Sequence, residues 1–181
     1  MTETTAAAAI ETRDTKLEII MGREALDKLA GATVLVLGCG GVGSNCCEAL
    51  ARGGIGHFVI LDKDIIAPSN INRQAIAFHS TVGKRKVDVM EAMIHDINPA
   101  ATVIKRTEYL LSDNIDDFFA SVLEQTDGKL DYVVDAIDTI SPSSPLPNML
   151  RTTTFVWLAP WAGPTSSIRV PPLCRHFRYG T

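Results

Sequence analysis

The stretch TVLVLGCGGVGSNCCEALARGG, Thr33 to Gly54, decides how this 181-residue chain folds. Its opening, TVLVLG (Thr33–Gly38), is a short β-branched apolar run, the pattern of a strand buried on both faces. Glycines follow at Gly38, Gly40 and Gly43, a GxGxxG spacing with Gly41 and Ser44 in the same loop. SNCCEALARGG then predicts a short helix, stopped by Gly53 and Gly54. Missing side chains let the backbone approach a phosphate, and the helix N-terminus supplies N–H groups and a positive dipole end. A second apolar run, HFVILD (His57–Asp62), ends in a carboxylate nineteen residues past Gly43, placed to accept hydrogen bonds from ribose hydroxyls. This pattern specifies a nucleotide without choosing NAD over ATP. The plain alternative is a tight turn with no ligand.

Working outward, REALDKLA (Arg23–Ala30) has helical spacing, with Ala25, Leu26 and Leu29 on one side. KRKVDVMEAMIHDIN repeats Val87, Met90, Met93, Ile94 and Ile97 at helical intervals and ends before Pro99. ATVIKRTEYL reads as a third strand. SDNIDDFFASVLEQ opens with Ser112 as the expected N-cap and repeats Ile115, Phe118, Phe119, Val122 and Leu123 as an apolar face. LDYVVDAID is a fourth strand ending in acids. Alternating strands and helices predict an α/β fold with a doubly wound, Rossmann-like parallel sheet. Ligands on such sheets bind beyond the carboxyl ends of the strands, where the glycine turn, Asp62 and Asp135–Asp138 should meet.

Bulk properties narrow the class. The chain can bury one substantial core, and no run approaches membrane-spanning length. The N-terminal MTETTAAAAIETRDT lacks a basic n-region, so it reads as a flexible arm (1–15) rather than a secretory signal. Four cysteines (Cys39, Cys46, Cys47, Cys174) show no CxxC spacing, against a zinc knuckle or a thioredoxin-like pair. Cys46 and Cys47 read as small buried residues on a helix, and a reducing cytoplasm fits. The charge divides sharply. All 21 acids lie before Thr139 with 13 basic residues, a formal −8. The remaining residues carry four arginines, no lysine, no acid and seven of the nine prolines. The expected organisation is the arm, an α/β domain over 16–140, and an incomplete, irregular Pro/Arg-rich tail over 141–181.

The segment DKDIIAPSNINRQ, Asp62 to Gln74, favours a triphosphate. Attack on an α-phosphate spreads negative charge over phosphate oxygens, so catalysis needs positioned cations and donors. Arg73 offers a planar fork to β- or γ-phosphate oxygens. Lys86, at the start of a helix, offers a point charge. Asn70 and Gln74 are neutral donors, and Asp138 suits magnesium, a hard cation that takes carboxylate oxygen. Each also has a plain reading: Arg73 as a surface arginine, Lys84–Lys86 as an exposed basic turn, Asp135 as a helix cap.

Taken together, GxGGVGS, DxD (Asp62, Asp64), SNINRQ (Ser69–Gln74), VGKRK, INP (Ile97–Pro99) and DxxD (Asp135, Asp138) resemble the ThiF-type, E1-like adenylating enzymes over about Arg13 to Ile140. The resemblance implies activation of a carboxylate as an acyl-adenylate, from ATP and Mg2+. It implies that Gly40 and Gly41 line the phosphate loop, Asp62 binds ribose, Arg73 and Lys86 hold the triphosphate, Asp138 ligates magnesium, and Asp64 and Asn70 support the site. It also implies a homodimer. Within the family, ALARGGIGHFVILDKD, NINRQ, VGKRKVDVM and VVDAIDTI are most similar to the dehydratases that cyclise the threonylcarbamoyl group of tRNA threonylcarbamoyladenosine. That tRNA is then the expected partner, with neither DNA nor a membrane. Activation of a ubiquitin-like sulfur-carrier protein is the alternative with the same chemistry. An NAD oxidoreductase and an inactive nucleotide-binding remnant are the other readings.

Three departures from the family pattern stand out. Members often reach the partner subunit's ATP with an arginine of the N-terminal arm; here Arg13 and Lys16 are the nearest residues, and a lysine cannot make the same fork. The −8 body shows no broad basic field for RNA. The sequence after DAIDTI departs from the family's helix and strand, so a frameshifted or mis-joined C-terminus is expected, which makes Cys174 a poor nucleophile. A genuine Pro/Arg-rich tail that binds RNA is the rival.

Overall fold

A computed structural model describes residues 11–111 and 113–137 together with the backbone of 154–157. Two helices, α1 (Thr15–Met21) and α2 (Arg23–Ala30), meet at Gly22 and lead into β1 (Thr33–Leu37). The chain continues through α3 (Gly41–Arg52), β2 (His57–Leu61), a single 3-10 turn (Pro68–Asn70), α4 (Lys86–Ile97), β3 (Thr102–Arg106), α5 (Ile115–Gln125) and β4 (Tyr132–Asp135). A last strand, β5, spans Thr154–Trp157.

The five strands form one sheet in the order β3-β2-β1-β4-β5, every neighbouring pair parallel. This is the doubly wound arrangement that alternating strands and helices predict. The direction of winding reverses at β1: β2 lies on one side and β4 on the other. The crevice at that reversal opens beyond Leu37, in register with Leu61 of β2 and Asp135 of β4.

Because successive strand residues face opposite sides, β1 and β2 feed two apolar layers. Val34, Val36, Phe58 and Ile60 pack with Cys47, Ala51, Met90 and Ile94 of α3 and α4. Leu35, Leu37, Val59 and Leu61 pack with Phe118, Phe119 and Val122 of α5. The sheet is thereby sandwiched between helices, and both faces of its central strands are buried.

Several boundaries differ from the sequence reading. Helix α3 begins at Gly41, before the SNCC segment, because the glycines form its first turn. The third strand stops at Arg106, so the expected extension through Leu110 is absent. Asn114, not Ser112, takes the N-cap position of α5. Its carboxamide serves the preceding turn, accepting from Leu111 N (2.8 Å) and donating to Tyr109 O (2.8 Å). Ser112 lies outside the described residues. Neither α1 nor β5 was anticipated; β5 falls on TFVW, a β-branched and aromatic run between prolines.

Candidate functional site

The glycine turn sits at the mouth of the crevice. Gly38 adopts φ +91°, a left-handed conformation, and donates its N–H to Leu61 O at 2.7 Å. A Cβ there would lie 2.9 Å from Ala136 O. At Gly43 a Cβ would fall 1.8 Å from Gly38 O, so only glycine lets α3 start directly against the end of β1. Gly40 takes the N-cap position, and a Cβ added there meets nothing within 4 Å. A bare backbone ledge thus fronts the positive end of a twelve-residue helix. At Gly41 a Cβ would lie 3.3 Å from Arg73 Cγ: the arginine stem crosses the turn.

The SNINRQ segment is fastened to that ledge by side chains. Asn45 donates through Nδ2 to Gly41 O (2.5 Å) and to Arg73 O (3.1 Å). Ser44 is fully buried; its hydroxyl donates to Gly40 O (2.6 Å) and accepts from Ala75 N (3.0 Å). Asn70 Oδ1 accepts from Ala67 N (2.9 Å), and its carbonyl accepts from the N–H groups of Arg73 and Gln74. The Arg73 guanidinium is exposed and donates to Ser69 O (2.9 Å) and Asn72 Oδ1 (3.0 Å), with no carboxylate partner among the described residues. Gln74 is buried, and its Oε1 has no hydrogen-bond partner among the described residues.

Beside the glycine turn lies an ion cluster, joined to it through Cys39 N. One oxygen of Asp62, Oδ2, accepts from Cys39 N at 2.8 Å and lies 3.6 Å from Lys86 Nζ. The other, Oδ1, accepts from Asp64 N at 2.8 Å. Lys86 donates to Asp64 Oδ2 at 2.9 Å, and only 8% of its side chain is exposed. The Lys86 hydrogen bond holds the Asp64 carboxyl below its usual range, against the opposing pull of partial burial. Asp62 therefore ties the second residue of the glycine turn to a buried ammonium. Its two oxygens retain lone pairs for further donors.

The crevice mouth thus brings together Gly38, Gly40, Gly41, Gly43, Ser44, Asp62, Asp64, Asn70, Arg73, Gln74 and Lys86. Of these, Ser44 and Asn70 spend the bonds described above on the protein itself. Asp138 lies outside the described residues, and among those described no three His, Cys, Asp or Glu side chains gather as a metal site. Arg13 pairs with its neighbour Asp14, Nε to Oδ1 at 2.7 Å, and Lys16 lies 3.6 Å from Glu11. Behind the turn, a hydrogen bond that the Cys47 thiol makes to Cys39 and complete burial hold Cys47 well above its ordinary pKa, and burial raises that of Cys46. Neither is a ready thiolate. Asn45 escaped the sequence reading. The available signal was an asparagine four residues past Gly41, on the helix face that meets the NINRQ loop.

The model of the ThiF family matches residues 12–148. The tRNA threonylcarbamoyladenosine dehydratase of Bacillus subtilis is 47% identical over 123 residues, which are 68% of this chain and 46% of that protein. The adenylyltransferase and sulfurtransferase MOCS3 of Culex quinquefasciatus is 39% identical over 114 residues, 63% of this chain and 24% of that protein. Among solved structures, the E. coli tRNA N6-threonylcarbamoyladenosine dehydratase in complex with ATP superposes with TM-score 0.64 at 34% identity. That match covers 75% of this chain and 54% of the E. coli chain. This chain therefore spans about half the length of the curated dehydratases it matches.

Proposed function

Because this chain belongs to the ThiF family, we propose that its crevice binds ATP and activates a carboxylate by adenylation, and that the carboxylate is the threonylcarbamoyl group of a modified tRNA adenosine. The observation that carries the reading is the pairing of two cations with the glycine ledge. The Arg73 stem crosses Gly41, and Lys86 shares Asp62 Oδ2 with Cys39 N. An NAD site needs the ledge and an acid; it has no evident use for these flanking cations.

The reaction joins the substrate carboxylate oxygen to the α-phosphorus and breaks the bond to pyrophosphate. Backbone N–H groups at the start of α3 stabilise the phosphate oxygens. The Arg73 guanidinium turns from Ser69 O and Asn72 to take β- and γ-oxygens as a planar fork. Lys86, held at the crevice by Asp62 and Asp64, supplies a second positive charge there. Asp62 keeps lone pairs for ribose hydroxyls, and Gln74 Oε1 is a buried acceptor open to a ligand or water donor. Ser44, Asn70 and Asn45 position rather than contact: their bonds fix the ledge against the NINRQ loop. Asp138 would hold Mg2+, which would supply positive charge to offset that of the pyrophosphate. Attack within the activated threonylcarbamoyl group then closes a ring and expels AMP.

Similarity to an adenylyltransferase and sulfurtransferase favours one second reading, activation of a ubiquitin-like carrier at its C-terminal carboxylate. Exchange of labelled pyrophosphate into ATP separates the two. Stimulation by threonylcarbamoylated tRNA is the expected result; stimulation by a carrier protein alone selects the second reading. No exchange with either overturns both. Arg73→Ala should lower exchange by orders of magnitude with the fold intact, as loss of a transition-state donor commonly costs about 3 kcal/mol.

A further inference from the structure

The 23 residues from Ile65 to Val87 contain no acid and four cations, inside a body of formal charge −8. Ion pairing follows the same division. Elsewhere in the described residues nearly every lysine and arginine faces a carboxylate. Among the described residues Arg73, Lys84 and Arg85 face none, and all three are exposed. Three large apolar side chains are exposed in the same segment: Ile65 at 59%, Phe78 at 53% and Val82 at 36%.

These groups sit on a braced turn. The Thr81 hydroxyl accepts from Phe78 N (2.8 Å) and donates to Ile76 O (2.8 Å). Val82 N donates to Phe78 O (3.2 Å) and Lys84 N to Thr81 O (3.1 Å). Gly83 N donates to Ile66 O (2.9 Å), Ile66 N to Lys84 O (2.8 Å), and Ile65 bridges Arg85 in antiparallel fashion. The next residue is Lys86, whose N–H is bonded to Asp64 O (3.0 Å). The turn is therefore continuous with the ion cluster at the crevice.

From this juxtaposition we infer that the turn carrying Phe78, Val82, Lys84 and Arg85 is a docking surface for single-stranded RNA beside the nucleotide crevice. The identity of that RNA as tRNA rests on the function proposed above. Unpaired cations neutralise phosphates, and an aromatic face held out on a rigid turn stacks an unstacked base. A second copy of the chain fits less well. A two-fold contact through this face would set Lys84 and Arg85 close to their own copies, with no acid in the segment to offset them.

The test titrates the full chain into fluorescently labelled threonylcarbamoylated tRNA over a range of salt, following anisotropy. Lys84→Ala/Arg85→Ala should weaken binding about 10-fold near 0.1 M salt. It should also flatten the dependence of log K on log salt by about 1.5, since each phosphate contact contributes about 0.7–0.9. Phe78→Ala should weaken binding at least about 5-fold and leave that slope unchanged. Both variants should retain wild-type ATP affinity and circular dichroism. The inference is overturned if the wild-type chain does not bind the RNA, or if both variants bind it with wild-type affinity and slope. It is equally overturned if sedimentation velocity shows the variants only losing a self-association of the wild type. Failure of pyrophosphate exchange alongside the expected RNA results would remove the adenylation reading and leave the surface standing.

Discussion

Lys86 is the residue on which the site turns, because a nearly buried ammonium needs compensation and finds it in two acids. Asp62 was legible from its place after a strand, and Lys86 from its place at a helix start. Their contact was not, since it joins positions 24 apart through the sheet edge. Asp64 offers a test of this cluster. Its folded pKa is depressed, chiefly by the Lys86 hydrogen bond. The stabilisation is therefore complete above the unfolded carboxylate pKa, about 3.9, and is lost as the pH falls through the lower folded value. Asp64→Asn should destabilise the protein at neutral pH by at most about 1 kcal/mol, because half of the side chain is exposed. Urea denaturation curves collected from about pH 7 to pH 3 should show the two proteins converging at the acid end. A difference that persists unchanged would remove the ion pair as its cause.

At the scale of elements, β1 with α3 does most to build the site, and its glycines have separable duties. Gly43→Ala places a Cβ 1.8 Å from Gly38 O, and the clash is with backbone, which cannot rotate away. Such a variant should fold poorly. Gly40→Ala meets no atom within 4 Å and has φ −76°, so the fold should keep its melting temperature. Its new methyl group covers the ledge, however, and ATP affinity measured by calorimetry should fall about 10-fold or more. Equal effects of the two substitutions would refute this division. On the opposite layer, Phe119 is fully buried and packs edge-on to Phe118 at 5.5 Å between centroids. Phe119→Ala should cost about 3–5 kcal/mol of stability, read from chemical denaturation. The apolar pattern identified these buried elements: α5 repeats its apolar residues at helical intervals, and β1 is a continuous short run that suits a strand buried on both faces. It missed α1 because that helix buries no residue and so carries no core-facing stripe. The start of α3 was missed because glycine disfavours helix interiors, and here close approach to β1 outweighs propensity.

At the scale of the molecule, the doubly wound parallel sheet was legible in the sequence because alternation of strands and helices leaves few topologies, whereas the order β3-β2-β1-β4-β5 comes from the structure. What the crevice acts upon was not legible in the same way: the glycine pattern suits any nucleotide. Charge placement is what discriminates. A dinucleotide carries two phosphates and needs the ledge with an acid for ribose. A triphosphate brings additional negative charge outward from the ledge, and the proposed reading assigns that charge to Arg73, whose stem crosses Gly41, and to Lys86, which shares Asp62 Oδ2 with Cys39 N. ATP should therefore bind the native chain far better than NAD+. A ligand that binds only the folded state adds about 2.7 kcal/mol at a hundred times its dissociation constant. For a domain of this size that corresponds to a rise of several degrees in melting temperature. Differential scanning fluorimetry at equal ligand concentrations should show this rise with ATP and almost none with NAD+, and Arg73→Ala should reduce the ATP response. If NAD+ shifted the wild type as much as ATP, or if Arg73→Ala responded like the wild type, the flanking cations would have no part in choosing the ligand.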